Sequence, residues 1–576
     1  MTTYYVKTGG DDSETGVSGD SAWETVSKVN GETFAAGDSI LFNRGDEWSE
    51  RLVPPSSGNT TSQITFGAFG AGERPIITCR AVFTGSGTEE NWVAGVTDVW
   101  YLTINSGNPL RVWLDSTEYT EADDEDSVDS DDRWFYGSSG TRLYVYGVSN
   151  PFNDQVVEGS IAVQFRNYGV LMDDVGYLTF QELDVRAGIN SIALAANVGS
   201  VDGLIIEDCD VGMDGSVGVY INGFVAASTC NDGVIRRCTI DSGLALQEPE
   251  HGDRTTMNGV MIVANGSNWE AYGNTVKDFY HSGMQIEGIT TRESRYNKFH
   301  DNTISGASIT YMRGVACSGA DGTCQFNEFY NNLIQDTTAR NQIAGDFNSF
   351  YYNIVDTVTN SPMTGNNGTA QGFSLEPLTP DNCHDNKLYN NVIYNTEEEG
   401  IRLHTYTTET VYNNDVANNV MMNCGNNTEV DPNGMTDIAL VVTNDNDISN
   451  NLIRNNLMFS DGVADLVRYR GTDMTVAEFN AAAAQGDTVS GNIGGDPLFT
   501  DAGNADFTTA STSPTIDAGV VVGLTTDIIG SPVPQGASPD IGAYENVSSL
   551  SRSVEAMSRM VPHLEAYRWG LHPPSD

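Results

Sequence analysis

Along the second half of the chain, apolar residues come in pairs separated by one position, and each pair is bounded by turn formers. "GVMIV" at 259–263, "GMQIE" at 283–287, "GFSLE" at 372–376 and "GIRLH" at 400–404 all alternate with period two. That period belongs to a strand with one buried face. A second piece recurs beside it, an Asn, one residue, then an apolar residue, at Asn274, Asn302, Asn332, Asn391, Asn419 and Asn456. The spacing mostly falls between roughly 21 and 38 residues, within the range of solenoid repeats. Each is strand, turn, strand, turn, with no room for a long helix. The pattern predicts an all-β, right-handed parallel β-helix solenoid. Its coils stack at the ~4.8 Å strand spacing, and equivalent Asn residues can ladder up the stack.

Aligning the strands by their first residue sorts the two faces. Val260 and Ile262, Met284 and Ile286, Val315 and Cys317, Phe373 and Leu375, and Ile401 and Leu403 point inward, with Ile343 as their equivalent in "NQIAGDF". One outward column then reads Asn222, Val263, Glu287, Ser318, Asp346, Glu376, His404, Val441. The other reads Tyr220, Met261, Gln285, Ala316, Ala344, Ser374, Arg402, Ala439. Ionisable groups collect in the middle coils, whereas a merely solvated face would scatter them. Glu287, Asp346, Glu376 and His404 are therefore the candidate catalytic residues, and they are expected to line one water-facing groove. Arg402, His281, Arg313, Arg340, Tyr220, His251 and Arg254 are the candidate substrate-binding residues.

Composition changes this picture little. Glycine is abundant at 60 residues and proline modest at 18, which suits many tight turns. The 78 acidic residues against 28 basic ones give a formal net charge of −50, which argues against nucleic acid or an anionic membrane as partner. No apolar run reaches the ~20 residues of a membrane span. Eight cysteines do not make a disulfide framework in 576 residues. Cys317 and Cys324 bracket a short loop, and Cys209 and Cys238 sit in matching contexts that suit a buried ladder.

Four stretches carry a family resemblance. "YYVKTGGDDSETGVSGDSAWETVSKVN" with "ITFGAFGAGERPIIT" resembles the opening coils, and "DPLFTDAGNADFTTASTSPTIDAG" with "SPDIGAYE" the closing coils, of the pectate-lyase-like parallel β-helix superfamily. That superfamily holds polysaccharide lyases, glycosidases and viral tailspikes. The division that follows is an N-terminal cap and first coils over 1–112, a β excursion with an acidic loop over 113–160, the parallel β-helix with its groove over 161–546, and a C-terminal helical tail over 547–576. In the tail, Val554, Met557, Met560, Val561 and Leu564 recur at helical spacing.

The resemblance implies a protein that binds and depolymerises polysaccharide. Its reaction stays open between glycoside hydrolysis and elimination. Hydrolysis uses paired carboxyls, ~5–5.5 Å apart when retaining and ~6.5–9.5 Å when inverting. Elimination from a uronate would use Glu287, Asp346 and Glu376 to hold Ca²⁺, with His404, His281 or an arginine moving the proton. Hydrolysis requires no cofactor. The alternatives are a glycan-binding virion or structural protein without catalysis, or a secreted calcium-dependent lyase. The absence of a signal-peptide pattern, a β-helix starting near Met1 and a distinct tail point to a virion tail or extracellular setting, and to a homotrimer or larger assembly.

Overall fold

The chain winds into coils whose strands stack in register into three long parallel sheets. The computed structural model describes residues 1–78, most of 80–146, and 161–546 apart from turns and loops, of which 242–257, 361–369 and 427–437 are the longest. The expectations for His251, Arg254, most of the acidic run and the tail over 547–576 fall outside the described residues. Fourteen strands from Thr3–Val6 to Thr488–Ser490 form the first sheet, and twelve from Val170–Asp173 to Thr472–Met474 form the second. Thirteen strands from Glu47–Trp48 to Ile493–Gly494 form the third. Every neighbouring pair is parallel except the last of the second sheet, where Thr472–Met474 turns back on Val467–Tyr469. The fold is the expected right-handed parallel β-helix.

One coil shows why this sequence takes that path. Ser282–Gly288 lies in the second sheet, Lys298–His300 in the first and Thr303–Ser305 in the third. The inward residues form stacks, such as Phe299 opposite Phe329 and Phe329 opposite Phe350. Both bends around the first sheet use one device. A residue with left-handed backbone comes first, and an Asn follows with its side chain turned inside. At the second bend Asn302, Asn332, Asn353, Asn391, Asn419, Asn456 and Asn492 pass hydrogen bonds from each Nδ2 to the next Oδ1 at 2.9–3.0 Å. Each Nδ2 also donates to a carbonyl of an earlier coil, as Asn353 does to Phe329 at 2.9 Å. The recurring Asn, spacer, apolar triplet is the sequence trace of this ladder.

Two segments differ from expectation. The excursion from the coils begins at Arg80, not 113. Strands between Arg80–Phe83 and Ile161–Phe165 build one eight-stranded, mostly antiparallel sheet. Parallel and antiparallel strands share the period-two pattern, so alternation alone could not separate them. At the other end, the segment after Gly494 adds no coils. Phe507, Ile528, Ile541 and Ala543 pack on Tyr352, Ile354, Val392, Val420 and Leu457, forming a strap across the outside of the third sheet. The coil stack is closed instead by the short helix Val476–Phe479, whose Val476 and Phe479 enter the core under a Thr475–Glu478 capping box. Cys317 and Cys324 are buried with their sulfurs 2.7 Å apart.

Candidate functional site

The outer face of the second sheet carries the candidate residues, but in a different register from the one expected. Ser318 pairs with Ala344, and Gln342 with Ser374, which pairs with Arg402. Asp346 is therefore not in the Glu287 column. It lies round the corner opposite Gln325, where His384 Nε2 approaches its Oδ1 at 3.3 Å. Val441, too, stands opposite Arg402, not beside His404. Both errors are slips of two residues. A two-residue slip keeps every side chain on its own face, so the pattern of buried positions cannot detect it. Burial pushes the Asp346 carboxyl above the usual range, with His384 opposing.

With the register corrected, the face holds two polar clusters. Small residues separate them: Ala316 lies between Gln285 and Gln342, and Ser318 and Ala344 continue the column from Glu287. In the first cluster Gln285 Nε2 donates to Glu287 Oε2 at 3.1 Å, and His281 Nδ1 lies 3.1 Å from Asn258 Oδ1. Tyr220 belongs to the same region, its hydroxyl accepting from Asn222 Nδ2 at 2.5 Å. Burial raises the Glu287 carboxyl above its usual range, against the pull of Arg313. Burial also drives His281 down to about 4, with the Arg313 charge adding to it.

That shift predicts a pH effect. The unfolded chain takes up the His281 proton first as pH falls below the ordinary 6.5, so its contribution to stability is lost between about pH 6.5 and about pH 4. The loss amounts to as much as ~3 kcal/mol. Thermal melts across that window should show a shallower decline for His281→Gln than for the native protein, and equal slopes would refute the assignment.

The second cluster is tighter. Glu376 Oε1 accepts from Arg340 Nε at 2.7 Å and from Gln342 Nε2 at 2.7 Å, while His404 Nε2 lies 2.8 Å from Oε2. Ser374 Oγ sits 3.1 Å from the same His404 nitrogen. Contrary to the expected water-facing groove, Glu376 and His404 are each 1% exposed. Burial alone would raise the Glu376 carboxyl, but the His404 hydrogen bond and the Arg340 charge outweigh it and hold it at about 2. Burial lowers His404 despite its hydrogen bond to Glu376, and the Arg402 and Arg340 charges lower it further. The pair thus consists of an ionised Glu376 and a neutral imidazole, because Arg340 already supplies the cation. Donation from Nε2–H to the carboxylate leaves the imidazole lone pair on Nδ1.

Beside this network lies a group that the sequence reading missed. Glu399 is 1% exposed, and neither of its carboxylate oxygens has a hydrogen-bond partner. Arg402 Nη1 stands 3.9 Å from Glu399 Oε2, and Arg402 Nε is also unpartnered. A buried carboxylate with no hydrogen bond to a guanidinium this near is rare, since such groups normally find partners. The run "EEEG" at 397–400 is the available signal: three acids in a row read as solvated, yet Glu398 and Glu399 are both buried. Among the described residues no three metal-ligating side chains converge, so Glu287, Asp346 and Glu376 do not form the calcium set considered above.

No family model matches the chain. A 168-residue segment is 30% identical to a lacto-N-biosidase of Bifidobacterium longum subsp. longum, covering 25% of this chain and 10% of that protein. The chain therefore spans about a tenth of the length of the relative it matches. Among solved structures, XylC in complex with xylose is 12% identical with a TM-score of 0.48, covering 95% of this chain and 99% of that one. Pectate lyase Pel9A is 12% identical at a TM-score of 0.39, over 95% and 97%. A lacto-N-biosidase from Eubacterium ramulus is 12% identical at 0.37, over 86% and 67%. The fold assignment stands on the strand register described above.

Proposed function

We propose that this protein binds a polysaccharide on the outer face of its second sheet and hydrolyses glycosidic bonds there. The observation that carries the reading is Glu399, whose two buried oxygens accept no hydrogen bond, facing the part-exposed Arg402 beside the Glu376–His404 pair. Five guanidinium donors and two carboxylate oxygens next to each other suit a sugar, whose hydroxyls accept from one and donate to the other. Glu376 orients His404 through Nε2 and fixes its tautomer, and the two together are the proton-handling pair of the site. Glu399 is the second carboxyl that hydrolysis needs. The lacto-N-biosidase segment match supports a glycosidase over a lyase. So does the charge of −50, which would repel a uronate polymer. The setting we propose is extracellular or a virion tail, with a homotrimer as the assembly that light scattering would test.

Hydrolysis is tested by incubating the protein with neutral glycans and counting new reducing ends. Hydrolysis releases them without ultraviolet absorbance, whereas an absorbing unsaturated product would show elimination and overturn the reading. Hydrogen bonds to charged groups contribute about 1.5–3 kcal/mol, so Arg402→Met and Glu399→Gln should each lower kcat/KM by roughly 10- to 100-fold. Unchanged kcat/KM in both variants would remove the pair from the site.

A further inference from the structure

The bend that precedes the first sheet has a rule, which an early coil breaks with the half-buried Tyr177 and three consecutive later coils break with exposed aromatics. Its left-handed residue is Asp232, Asn268, Tyr296, Phe326, Phe347, Asp385, Asn413 and Asn450 in successive coils, with φ between 54° and 59° throughout. Asn and Asp tolerate that backbone, while a bulky aromatic there is an outlier held at a cost. The three aromatics are also exposed: Tyr296 by 54%, Phe326 by 38% and Phe347 by 40%. They stack into a row, Tyr296 on Phe326 at 5.4 Å and Phe326 on Phe347 at 5.1 Å between ring centroids. Stacking does not explain their place. The same coils already pack Phe299 edge-on against Phe329 and stack Phe329 on Phe350 in the interior, where the rings gain burial as well. Tyr177 and Tyr352 share the strained backbone but are half-buried and buried, so the combination of strain with exposure in neighbouring coils marks a surface maintained for contact.

We propose that Tyr296, Phe326 and Phe347 form an accessory glycan-binding ridge that holds a polysaccharide chain alongside the site. The ligand class rests on the glycan reading above; the ridge itself rests on backbone and exposure. Its coils are those that carry Glu287, Ser318 and Ala344, and Phe347 follows Ala344 by only three residues. At the C-terminal end of the row His384 meets Phe347 edge-on, stacks on Tyr412 and lies 2.7 Å from Asp385 through Nδ1. Apolar rings edged by carboxylates match the two sides of a sugar, its C–H surface and its hydroxyls. A neutral polymer also meets no repulsion from the charge of −50.

The test restores the rule. A Tyr296→Asn, Phe326→Asn, Phe347→Asn triple variant gives these bends the residue that other coils use. Affinity electrophoresis through gels containing soluble xylan, β-galactan or gastric mucin glycans should retard the native protein. It should retard the triple variant at least tenfold more weakly, with a thermal midpoint equal to or above native. Equal retardation of the two proteins would overturn the ridge while leaving hydrolysis at Glu376 standing. A lowered midpoint with native retardation would make the row a structural ladder only. Loss of a native oligomer in light scattering, with retardation unchanged, would make it an interface between copies. No retardation of the native protein in any gel would remove the glycan reading itself.

Discussion

Glu376→Gln should lower turnover by at least ~10²-fold, the usual loss when a proton-handling pair is disabled. The carboxylate accepts from Arg340, Gln342 and His404 at 2.7–2.8 Å, and a glutamine side chain offers one acceptor oxygen instead of two. If the amide oxygen stays with Arg340 and Gln342, the amide NH₂ faces His404. The imidazole must then accept at Nε2 and carry its proton on Nδ1, which reverses the native tautomer and disables the pair. Stability falls as well, because removing one partner of a buried ion pair typically costs about 3–5 kcal/mol, of which glutamine recovers part through its remaining hydrogen bonds. Arg340→Met combined with Glu376→Gln separates the two effects. The double variant should regain stability, since no guanidinium is left uncompensated, yet stay inactive. Full turnover in a folded Glu376→Gln protein would remove the pair from the mechanism. Acid should act through the same group. The Glu376 contribution to stability is present above the ordinary carboxylate value of 4.5 and is lost as pH falls toward about 2.

Much of this architecture is visible in the residues because a solenoid writes its rules once per coil. The inward pairs read from period two, from Val260 and Ile262 through Ile401 and Leu403, are all buried. The Asn triplets mark the bends, since a short amide side chain can donate to the coil on one side and accept from the coil on the other at the same position. What the pattern could not supply was register. Asn341–Ala344 is a short strand, and a shift of two residues leaves Ile343 inside and moves only the column in which Asp346 falls. Gln342 escaped notice for the same reason: the slip put Ala344 in its place. Glu399 was hidden differently, because it precedes Gly400, where the backbone bends and alternation stops predicting direction. A Cβ on Gly400 would meet Met421 and Cys424 in the core. The aromatic ridge was legible, though only after the bends were known: an aromatic stands before Asn297, Asn327 and Asn348, where the later coils have "DN" and "NN".

Asn353→Leu, in the middle of the interior ladder, should be among the most destabilising single substitutions in the chain. Asn353 Oδ1 accepts from the Asn332 backbone N–H at 3.2 Å and from Asn332 Nδ2 at 2.9 Å. Its own Nδ2 donates to the Phe329 carbonyl and to Asn391 Oδ1, at 2.9 and 3.0 Å. Leucine has a similar volume and could fill the space, so the cost is not a cavity. It is the stranding of polar groups on the coils before and after, which are buried and have no water to turn to. Each unpaired group costs about 1–3 kcal/mol, and with Asn332 Nδ2 and Asn391 keeping some bonds the net loss should be about 3–6 kcal/mol. Asn353→Asp would not rescue it, because the carboxylate keeps the acceptors but loses both donations and buries a charge. Asn413→Gly is the control: it is exposed, with φ at 56°, and glycine adopts that conformation readily, so its effect should stay within ~1 kcal/mol. Urea midpoints for the three variants would decide. Asn353→Leu and Asn413→Gly falling together would mean that the ladder fixes coil register without holding the stack, and that the Phe299, Phe329 and Phe350 column carries the stability instead.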